Sequence, residues 1–349
     1  MTRACALNLI VVCEEMSSPR EFARLMAAIT AEHPCRVFQL LLEPDAKDPL
    51  LKAEVSAHCH RPAGTDRQVC CEQITLTAKG QATTNLNGVV TPLLVSDLPV
   101  FLWWRGEPPL EEKRYRRLVD LAHRVIIDTR LDGRSVDVLA AFSGWWRESR
   151  ASRWGAAPGD LNWRRLYGWR EMVSSLFDAP DRRPALRNIT RFELSPGTSA
   201  AGEEMVSAFY LCGWLAAQLD WQIRPATARR VGGRFRFELD AHTHVIKVSM
   251  AFSEEAEVPL GLELQSEWDE GSLFLEGKAV AGRNVIACRI LENSGPAAKR
   301  EADLGEADPA LLMRRELEVG GRDAVYERTL DLAGTLARLW LELDPGGMK

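Results

Sequence analysis

The chain has 349 residues and a mass of 39.0 kDa, which at about 100–200 residues per domain predicts two domains. Hydrophobic residues make up 46% of it and charged residues 27%, a globular composition that excludes collagen-like, coiled-coil and disordered chains. The net charge of −5 argues against a protein built around phosphate neutralisation, although a local basic patch is compatible with it. Eleven tryptophans against four tyrosines are the unusual feature.

The cysteines and the apolar segments indicate the compartment. The apolar stretch Leu7–Val12 is too short for a signal sequence or a membrane span, and no later segment reaches about 18 uninterrupted apolar residues. We therefore expect a cytoplasmic protein without membrane contact, whose eight cysteines are reduced. Cys70 and Cys71 cannot easily bond each other, because a disulfide needs a wider separation than adjacent residues allow. We interpret the cysteines as structural thiols, with a redox or metal-binding role as the alternative and Cys70 and Cys71 as the candidate redox thiols.

The first half of the chain alternates predicted strands and helices. Ala4–Val12 predicts a buried strand, Ser18 is the expected N-cap of a helix that ends near Glu32, and Val37–Leu42 predicts a second buried strand. This β-α-β order is typical of a mostly parallel sheet, so we expect an α/β N-terminal domain over residues 1–150. The further predicted elements are the strands Lys52–His60, Val69–Thr77, Val100–Trp104 and Arg124–Asp128 and the helices within Asn85–Val95, Glu111–Leu121 and Ser135–Trp146.

The second half has a different pattern. Ser149–Gly159 is interpreted as a linker or surface loop, after which Asp160 is the expected N-cap of one long helix, Leu161–Phe177. Short alternating runs separated by glycine and acidic turns then indicate an antiparallel sheet, so we expect an α+β C-terminal domain over residues 160–349. Its predicted strands are Asn188–Leu194, Phe235–Leu239, Thr243–Phe252, Gly261–Gln265, Ser272–Glu276 and Asn284–Leu291, and its further helices are Glu203–Leu219 and Ala324–Glu342.

Motifs for catalysis or cofactor binding are missing from the sequence. After the first strand, a dinucleotide fold needs glycines that let the backbone approach a pyrophosphate, but this turn carries Glu14 and Glu15, which would repel a phosphate. No Walker loop, GxSxG elbow, HExxH motif or acidic magnesium motif is present. We therefore expect no catalytic residue and no cofactor.

The histidine pairs and one glycine pair are weak candidates for binding. His58 and His60 share one face of a strand, as do His242 and His244, but two ligands do not fix a metal without others such as His33 or Cys35. We interpret them as ordinary strand histidines and expect no metal site. Gly232-Gly233 is interpreted as a hairpin turn, with an anion-binding turn as the alternative.

Residues 103–191 combine positive charge with tryptophan. This stretch has 18 Arg or Lys against 12 Asp or Glu, and it contains most of the eleven tryptophans. Three interpretations compete: a stacking surface for nucleic acid or sugar, a protein interface, or a domain junction filled by large rings. The acidic net charge argues against nucleic acid, whereas tryptophan and arginine are enriched at protein interfaces.

Several segments of the chain form ordered blocks of rare residues. The apolar run Thr91–Trp104 ends in Asp-Leu-Pro and a double tryptophan. The other blocks are Cys70–Leu76, Asp160–Leu166, Trp169–Glu171, Leu176–Asp178, Ile189–Arg191 and Gly213–Ala216. Together they resemble the glucose-6-phosphate dehydrogenase assembly protein family, OpcA, and the likeness is clear over about residues 5–225. The resemblance implies a non-catalytic partner of glucose-6-phosphate dehydrogenase, the NADP-dependent enzyme of the oxidative pentose phosphate pathway, that promotes the enzyme's oligomerisation or activates it.

The resemblance also implies a link to thioredoxin, but this chain departs from the family in two ways. It begins close to its first strand, where relatives have a longer N-terminal extension, and it has no cysteine after Cys288, where some relatives carry C-terminal cysteines. Control by thiols is therefore the weaker part of what the resemblance implies.

The candidate partner-binding residues are Trp103, Trp104, Arg105, Asp160, Asn162, Trp163, Arg164, Arg165 and Trp169. A structural role as a helix N-cap competes with partner contact for Asp160. Trp163 and Trp169 lie about 240° apart on one continuous helix, so we expect one of them to meet another surface or the second domain. The alternative function is a sugar-phosphate-binding enzyme or sensor that uses the α/β domain, and nucleic-acid binding ranks last because of the net charge.

Overall fold

The computed structural model describes residues 5–13, 18–60, 69–108, 112–130, 133–150, 155–197, 203–231, 233–252, 259–293 and 295–343. Packing groups the chain into two compact units. Unit 1 comprises Met1–Asp128, Gly144–Arg164 and Ala307–Asp323, and unit 2 comprises Thr129–Ser143, Arg165–Glu306 and Ala324–Lys349. The segments of the two units therefore alternate along the sequence. The linear division into residues 1–150 and 160–349 stays a prediction.

The described helices and strands are numbered in chain order. The strands are β1 (Leu7–Cys13), β2 (Cys35–Glu43), β3 (Leu50–His60), β4 (Val69–Lys79), β5 (Val100–Arg105), β6 (Arg124–Ile127), β7 (Ala157–Asp160), β8 (Ile189–Pro196), β9 (Gln222–Val231), β10 (Arg234–Asp240), β11 (Val245–Ala251), β12 (Leu260–Trp268), β13 (Gly271–Ala279), β14 (Val285–Glu292) and β15 (Ala298–Asp303). The helices are α1 (Pro19–Glu32), α2 (Leu86–Val90), α3 (Lys113–Val119), α4 (Ser135–Ser149), α5 (Leu161–Arg165), α6 (Tyr167–Leu176), α7 (Arg183–Arg187), α8 (Glu203–Leu219), α9 (Pro309–Leu317) and α10 (Ala324–Glu342).

Unit 1 is built on a seven-stranded sheet in the order β3-β4-β2-β1-β5-β6-β7. Its strands pair in parallel except for β3, which runs antiparallel to β4. The β-α-β opening is confirmed: Ser18 caps α1 by accepting a hydrogen bond from the Glu21 backbone N–H at 3.2 Å, and β1 pairs in parallel with β2. The predicted mostly parallel α/β sheet is therefore present.

Both faces of this sheet are covered at its centre. All seven residues of β1 are buried, although successive side chains of a strand point to opposite faces. Leu9 and Val11 pack in one cluster with residues of α1 and α9. On the other face, Trp104 meets Tyr115 of α3 edge to face, with ring centroids 5.2 Å apart. Uninterrupted apolar strands are what a parallel sheet covered on two sides requires.

Unit 2 is built on an eight-stranded sheet in the order β15-β14-β13-β12-β8-β11-β10-β9. Every adjacent pair is antiparallel except the parallel pair β8 and β11. Buried residues alternate with more exposed ones along β10, β11, β13 and β14. Helices cover one face: Phe235 of β10 packs edge to face on Phe209 of α8 and on Trp340 of α10. The α+β fold with an antiparallel sheet is confirmed.

Several predicted elements have different bounds in the structure. The predicted loop Ser149–Gly159 ends in β7, whose four residues are buried because they pair in parallel with β6. The predicted long helix is two helices, α5 and α6, separated at Leu166. The sequence patterns did not predict β9, β15, α7 or α9. The predicted hairpin at Gly232-Gly233 is confirmed by the pairing of Val231 with Arg234; Gly232 itself lies outside the described residues, as do Glu14 and Glu15.

The expectation that all eight cysteines are reduced is wrong for two of them. Cys59 and Cys70 are directly opposite each other on β3 and β4, with Cα atoms 4.1 Å apart, and they form a disulfide. The register of β3 and β4 brings these two cysteines together. The adjacent cysteines Cys70 and Cys71 drew attention in the sequence, but they do not indicate a bond between Cys70 and Cys59. Among the described helices, none combines the length and apolar character that crossing a membrane requires.

Candidate functional site

Most of the candidate partner-binding residues lie in the interior. Six of them are no more than 3% exposed: Trp103, Trp104, Asp160, Asn162, Trp163 and Trp169. Arg105, Arg164 and Arg165 are partly exposed. A partner cannot reach a fully buried side chain without moving the chain around it, so the burial favours the alternative that these rings and polar groups fill the interior. Contact of the nine residues with a partner stays a prediction.

The expectation for Trp163 and Trp169 rested on a single continuous helix. The helix axis ends at Arg165 and a new helix begins at Tyr167, so the angle of 240° does not apply. Trp163 belongs to unit 1 and Trp169 to unit 2, and both are buried. Neither ring is left to face solvent.

Asp160, Asn162 and Arg164 converge where β7 meets α5. The Asn162 backbone N–H donates to the Asp160 carboxylate at 2.8 Å, which is the hydrogen bond that an N-cap residue accepts. The Arg164 guanidinium contacts both Glu316 of α9 and Asp323. The structural alternative for Asp160 thus has a hydrogen bond that supports it.

Two residues that sequence analysis missed complete this buried charge cluster. Arg124 of β6 is 2% exposed and donates to the Glu316 carboxylate at 2.9 Å and to the Pro158 carbonyl at 2.9 Å. Glu316 itself is fully buried. Burial raises the pKa of Glu316, and the guanidiniums of Arg164 and Arg124 oppose that rise. A Cβ on Gly159 would lie 2.4 Å from Glu316 Oε1, so glycine is needed there. The cluster fastens α9 to β6 and β7.

An exposed arrangement of charge lies on the other sheet. We define the open face as the face of the eight-stranded sheet opposite to the one that α8 and α10 cover. One residue from each strand forms a transverse row across this face, each directly opposite the next in the strand register. In sheet order the row is Lys299, Arg289, Glu276, Glu263, Glu193, Ser249, Arg236 and Arg229.

Three glutamates occupy the centre of the row. Glu263 of β12 lies between Glu193 of β8 and Glu276 of β13, and like charges directly opposite each other destabilise a sheet. Burial, followed by the charges of Glu193 and Glu276, raises the pKa of Glu263, while Lys278 and Arg191 lower it. We call Glu193, Glu263 and Glu276 the glutamate row.

The glutamate row is only partly neutralised. Lys278 and Arg289 lie 3.3 Å and 4.0 Å from the Glu276 carboxylate, and Arg191 forms an ion pair with Glu193. No described cation is within ion-pair distance of Glu263. The row borders a cavity of about 390 Å³ on the open face. Negative charge at the centre with positive charge at both sides fits a surface that carries the opposite pattern.

The histidines and acidic side chains of the described residues were candidates for a metal site. Among the described residues, no group of three or more His, Cys, Asp or Glu side chains is placed to hold a metal ion. His244 contacts the Ile189 carbonyl oxygen through Nε2 at 2.7 Å, which is a structural hydrogen bond. The side chains of His58 and His60 lie outside the described part of the chain.

Two family models match the chain. Residues 26–142 match the N-terminal domain of a family described as the glucose-6-phosphate dehydrogenase subunit, and residues 156–330 match the C-terminal domain of the same family. The chain belongs to the OpcA family. This confirms the resemblance seen in the sequence, and the family itself is named for glucose-6-phosphate dehydrogenase assembly.

Curated relatives carry the same family name. An OxPP cycle protein OpcA of Nostoc punctiforme is 26% identical over 340 residues, covering 90% of this chain and 68% of the relative. Its counterpart in Synechocystis is 27% identical over 354 residues, covering 95% of this chain and 70% of the relative. Among solved structures, the super-repressor mutant of Gal80p from Saccharomyces cerevisiae covers 98% of this chain and 97% of its own, with a TM-score of 0.49 and 8% identity.

Proposed function

We propose that this OpcA-family protein is a non-catalytic, cytoplasmic accessory protein that binds glucose-6-phosphate dehydrogenase and promotes its oligomeric assembly or its active state. The observation that carries the proposal is that two family models named for that enzyme together match residues 26–142 and 156–330. An accessory protein shifts an enzyme between states only if it binds one state more tightly than the other. Such a protein therefore needs an exposed binding surface rather than a catalytic centre.

The open face supplies the surface in this proposal. The residues of β10, β11 and β13 that point to this face are partly or fully exposed, whereas the other side of the sheet carries helices, so the open face is available to a partner. The glutamate row is self-repelling in the free protein, and a basic patch on the enzyme would relieve that repulsion on binding. We place the enzyme's basic patch over Glu263, with acidic groups of the enzyme over Arg289 and Arg236.

Charge reversal in the glutamate row tests this placement. Glu263→Lys puts a cation between Glu193 and Glu276, so it favours folding while it repels a basic partner. We expect binding of glucose-6-phosphate dehydrogenase to weaken about tenfold or more, measured by analytical ultracentrifugation of the mixture and by the enzyme's activity. Glu171→Lys on the exposed side of α6 is the matched control and should bind like the unaltered protein.

The outcomes separate the proposal from its rivals. If the unaltered protein neither binds the enzyme nor changes its kinetics or oligomeric state, the proposed function is wrong. If it binds but Glu263→Lys binds equally well, the function stands and the open face is not the docking surface. A rise in the melting temperature with glucose 6-phosphate alone would instead support the alternative of a sugar-phosphate sensor.

A partnership with thioredoxin stays a prediction. The Cys59–Cys70 disulfide is the described bond that a dithiol reductant would cleave, since Cys59 is exposed on β3. Cys71 is buried, and burial raises the pKa of its thiol, which makes it a poor nucleophile. Thiol mapping by mass spectrometry after treatment with reduced thioredoxin tests this: two new thiols at Cys59 and Cys70 support the partnership, and an intact disulfide contradicts it.

A further inference from the structure

Strand β3 is an unusual edge of the seven-stranded sheet. It has 11 residues, pairs with β4 in unbroken register along its whole length, and has no other partner strand among the described residues. Residues 50–57 are all exposed. Proline and β-bulges usually prevent edge strands from pairing with other chains. Strand β3 contains no proline, and its pairing with β4 shows no bulge.

The side chains of β3 strengthen this observation. Leu51 is 48% exposed and Val55 is 75% exposed, and both lie on the same face of the strand. On the opposite face, Lys52 and Glu54 form an ion pair at 3.0 Å, with both side chains about 60% exposed. An exposed apolar stripe beside a row of free backbone N–H and C=O groups is a template for the addition of another strand.

We propose that two copies of this chain associate by antiparallel pairing of their β3 strands about a two-fold axis at Ala53. The two seven-stranded sheets then form one continuous sheet across the axis. This is an isologous interface, in which the same patch serves both copies, and it closes on itself as a dimer.

Charge complementarity in this register identifies a second copy of the chain as the partner of β3. With Ala53 on the axis, Lys52 of one copy lies directly opposite Glu54 of the other, and the symmetry repeats the pair. Leu51 lies opposite Val55 in the same way, so apolar residues also meet apolar residues. Opposite charges and paired apolar side chains directly across two strands stabilise a sheet.

The neighbouring registers lack this match. An antiparallel pair about a two-fold axis places one residue opposite its own copy, because paired side chains must point to the same face. An axis at Lys52 puts two lysines opposite each other, and an axis at Glu54 does the same with two glutamates. Each arrangement is destabilised by like charges. The segment from Leu51 to Val55 is therefore self-complementary about Ala53.

Charge exchange gives the sharpest test of the dimer. Sedimentation equilibrium of the full chain should show a monomer–dimer equilibrium at micromolar concentrations. Lys52→Glu places glutamate opposite Glu54 twice in each dimer, and we expect the dissociation constant to rise about tenfold. The double variant Lys52→Glu with Glu54→Lys restores opposite charges and should restore the dissociation constant of the unaltered chain. Loss without restoration would overturn the register, and a strictly monomeric unaltered chain would overturn the proposal.

A cross-link tests the position of the axis. Ala53→Cys brings two thiols opposite each other, with Cα atoms about 4.5–5.5 Å apart, within the range of a disulfide. We expect a covalent dimer on a non-reducing gel after mild oxidation. In the control Ser56→Cys, the two new cysteines are six residues apart along the paired strands, about 20 Å, and should not cross-link. Equal cross-linking of both variants would contradict the proposed axis.

A third variant tests the exposed apolar side chains of β3. Val55→Lys places a charge against the apolar Leu51 of the other copy, so we expect the dissociation constant of the dimer to rise about tenfold or more. Val231→Lys is the matched control, because Val231 is 57% exposed at the end of β9, the edge strand of the other sheet. Circular dichroism confirms that each variant is folded. A dimer that tolerates Val55→Lys as well as it tolerates Val231→Lys would overturn the proposal.

Discussion

The two sheets of this protein differ in how many of their faces are buried. In the seven-stranded sheet, β1 is buried at every position, and α1, α3 and α9 contribute to its covering. In the eight-stranded sheet, β12 buries Leu262 and Leu264 but leaves Glu263 and Gln265 partly exposed. Parallel sheets need cover on both sides, whereas an antiparallel sheet folds with one side in water. The open face is thus free to carry charge for another purpose.

Glutamate shows the difference most clearly. Glu316 is fully buried, but two arginines neutralise it and the cluster fastens α9 in place. Glu263 is less buried but stands between two other glutamates. The more buried carboxylate therefore has two guanidiniums as counter-charges, whereas the less buried one faces two groups of its own charge.

The largest effect is expected at Glu316. Glu316→Gln removes the carboxylate that Arg124 and Arg164 share, which leaves the buried Arg124 guanidinium without this counter-charge, and we expect a loss of about 3–5 kcal/mol in the free energy of unfolding. Denaturant unfolding measures it. The control Glu318→Gln changes the same side chain at an exposed position nearby and should stay within about 0.5 kcal/mol of the unaltered protein. Equal stability of the two variants would mean that the charge cluster does not hold α9.

Truncation of consecutive residues tests the covering of each sheet. Leu9→Ala and Ile10→Ala should each cost about 2–5 kcal/mol, because both side chains are fully buried on opposite faces of β1. On β12, Leu264→Ala should cost a similar amount, whereas Gln265→Ala should stay within about 0.5 kcal/mol. Urea unfolding of the four variants measures this. A large cost for Gln265→Ala would show that the open face is covered.

The smallest effect is expected at Glu263. Because its pKa is raised in the folded state, protonation stabilises the fold, and stability is lost as the pH rises through the range in which the carboxyl ionises. Glu263→Gln should therefore raise the melting temperature at about pH 7.5, by roughly 2 °C for a gain below about 1 kcal/mol, and the gain should vanish near pH 3.5.

The control for this prediction lies on β15. Glu301→Gln removes a carboxylate that forms two hydrogen bonds with Arg283, at 3.1 and 3.0 Å, so no gain is expected at either pH. A lower melting temperature of Glu263→Gln at about pH 7.5 would contradict the prediction. It would mean that the glutamate row has more positive charge near it than the ion pairs of Lys278 and Arg191 supply.

The sequence predicted those helices whose ends and faces are set by residues close together in the chain. The cap at Ser18 and the apolar periodicity of α8 and α10 depend on residues within a few positions, and both of these helices have the predicted bounds. By contrast, β7 consists of Ala-Pro-Gly-Asp, which has no strand preference. It is a strand because it pairs with β6, and proline is tolerated there because β7 is at the edge of the sheet.

The residues of the candidate site also depend on contacts between distant segments, which local sequence patterns do not predict. Alternation predicted which residues of β12 share a face, but the glutamate row exists only because β8, β12 and β13 are neighbours in that order. Arg124 and Glu316 are 192 residues apart, and no local pattern connects them. The enrichment in tryptophan is evident from the composition, but composition cannot distinguish a buried ring from an exposed one.

The sequence by itself determined the two kinds of sheet, the helices with capped or periodic ends, and membership of the OpcA family, since each depends on residue patterns that are read along the chain. Only the tertiary structure decided that most of the candidate tryptophans are buried, that Cys59 meets Cys70, and that α9 belongs to unit 1. These depend on which distant segments pack together. That choice is made by strand register and shape complementarity, which act between segments and leave no periodic trace in either one.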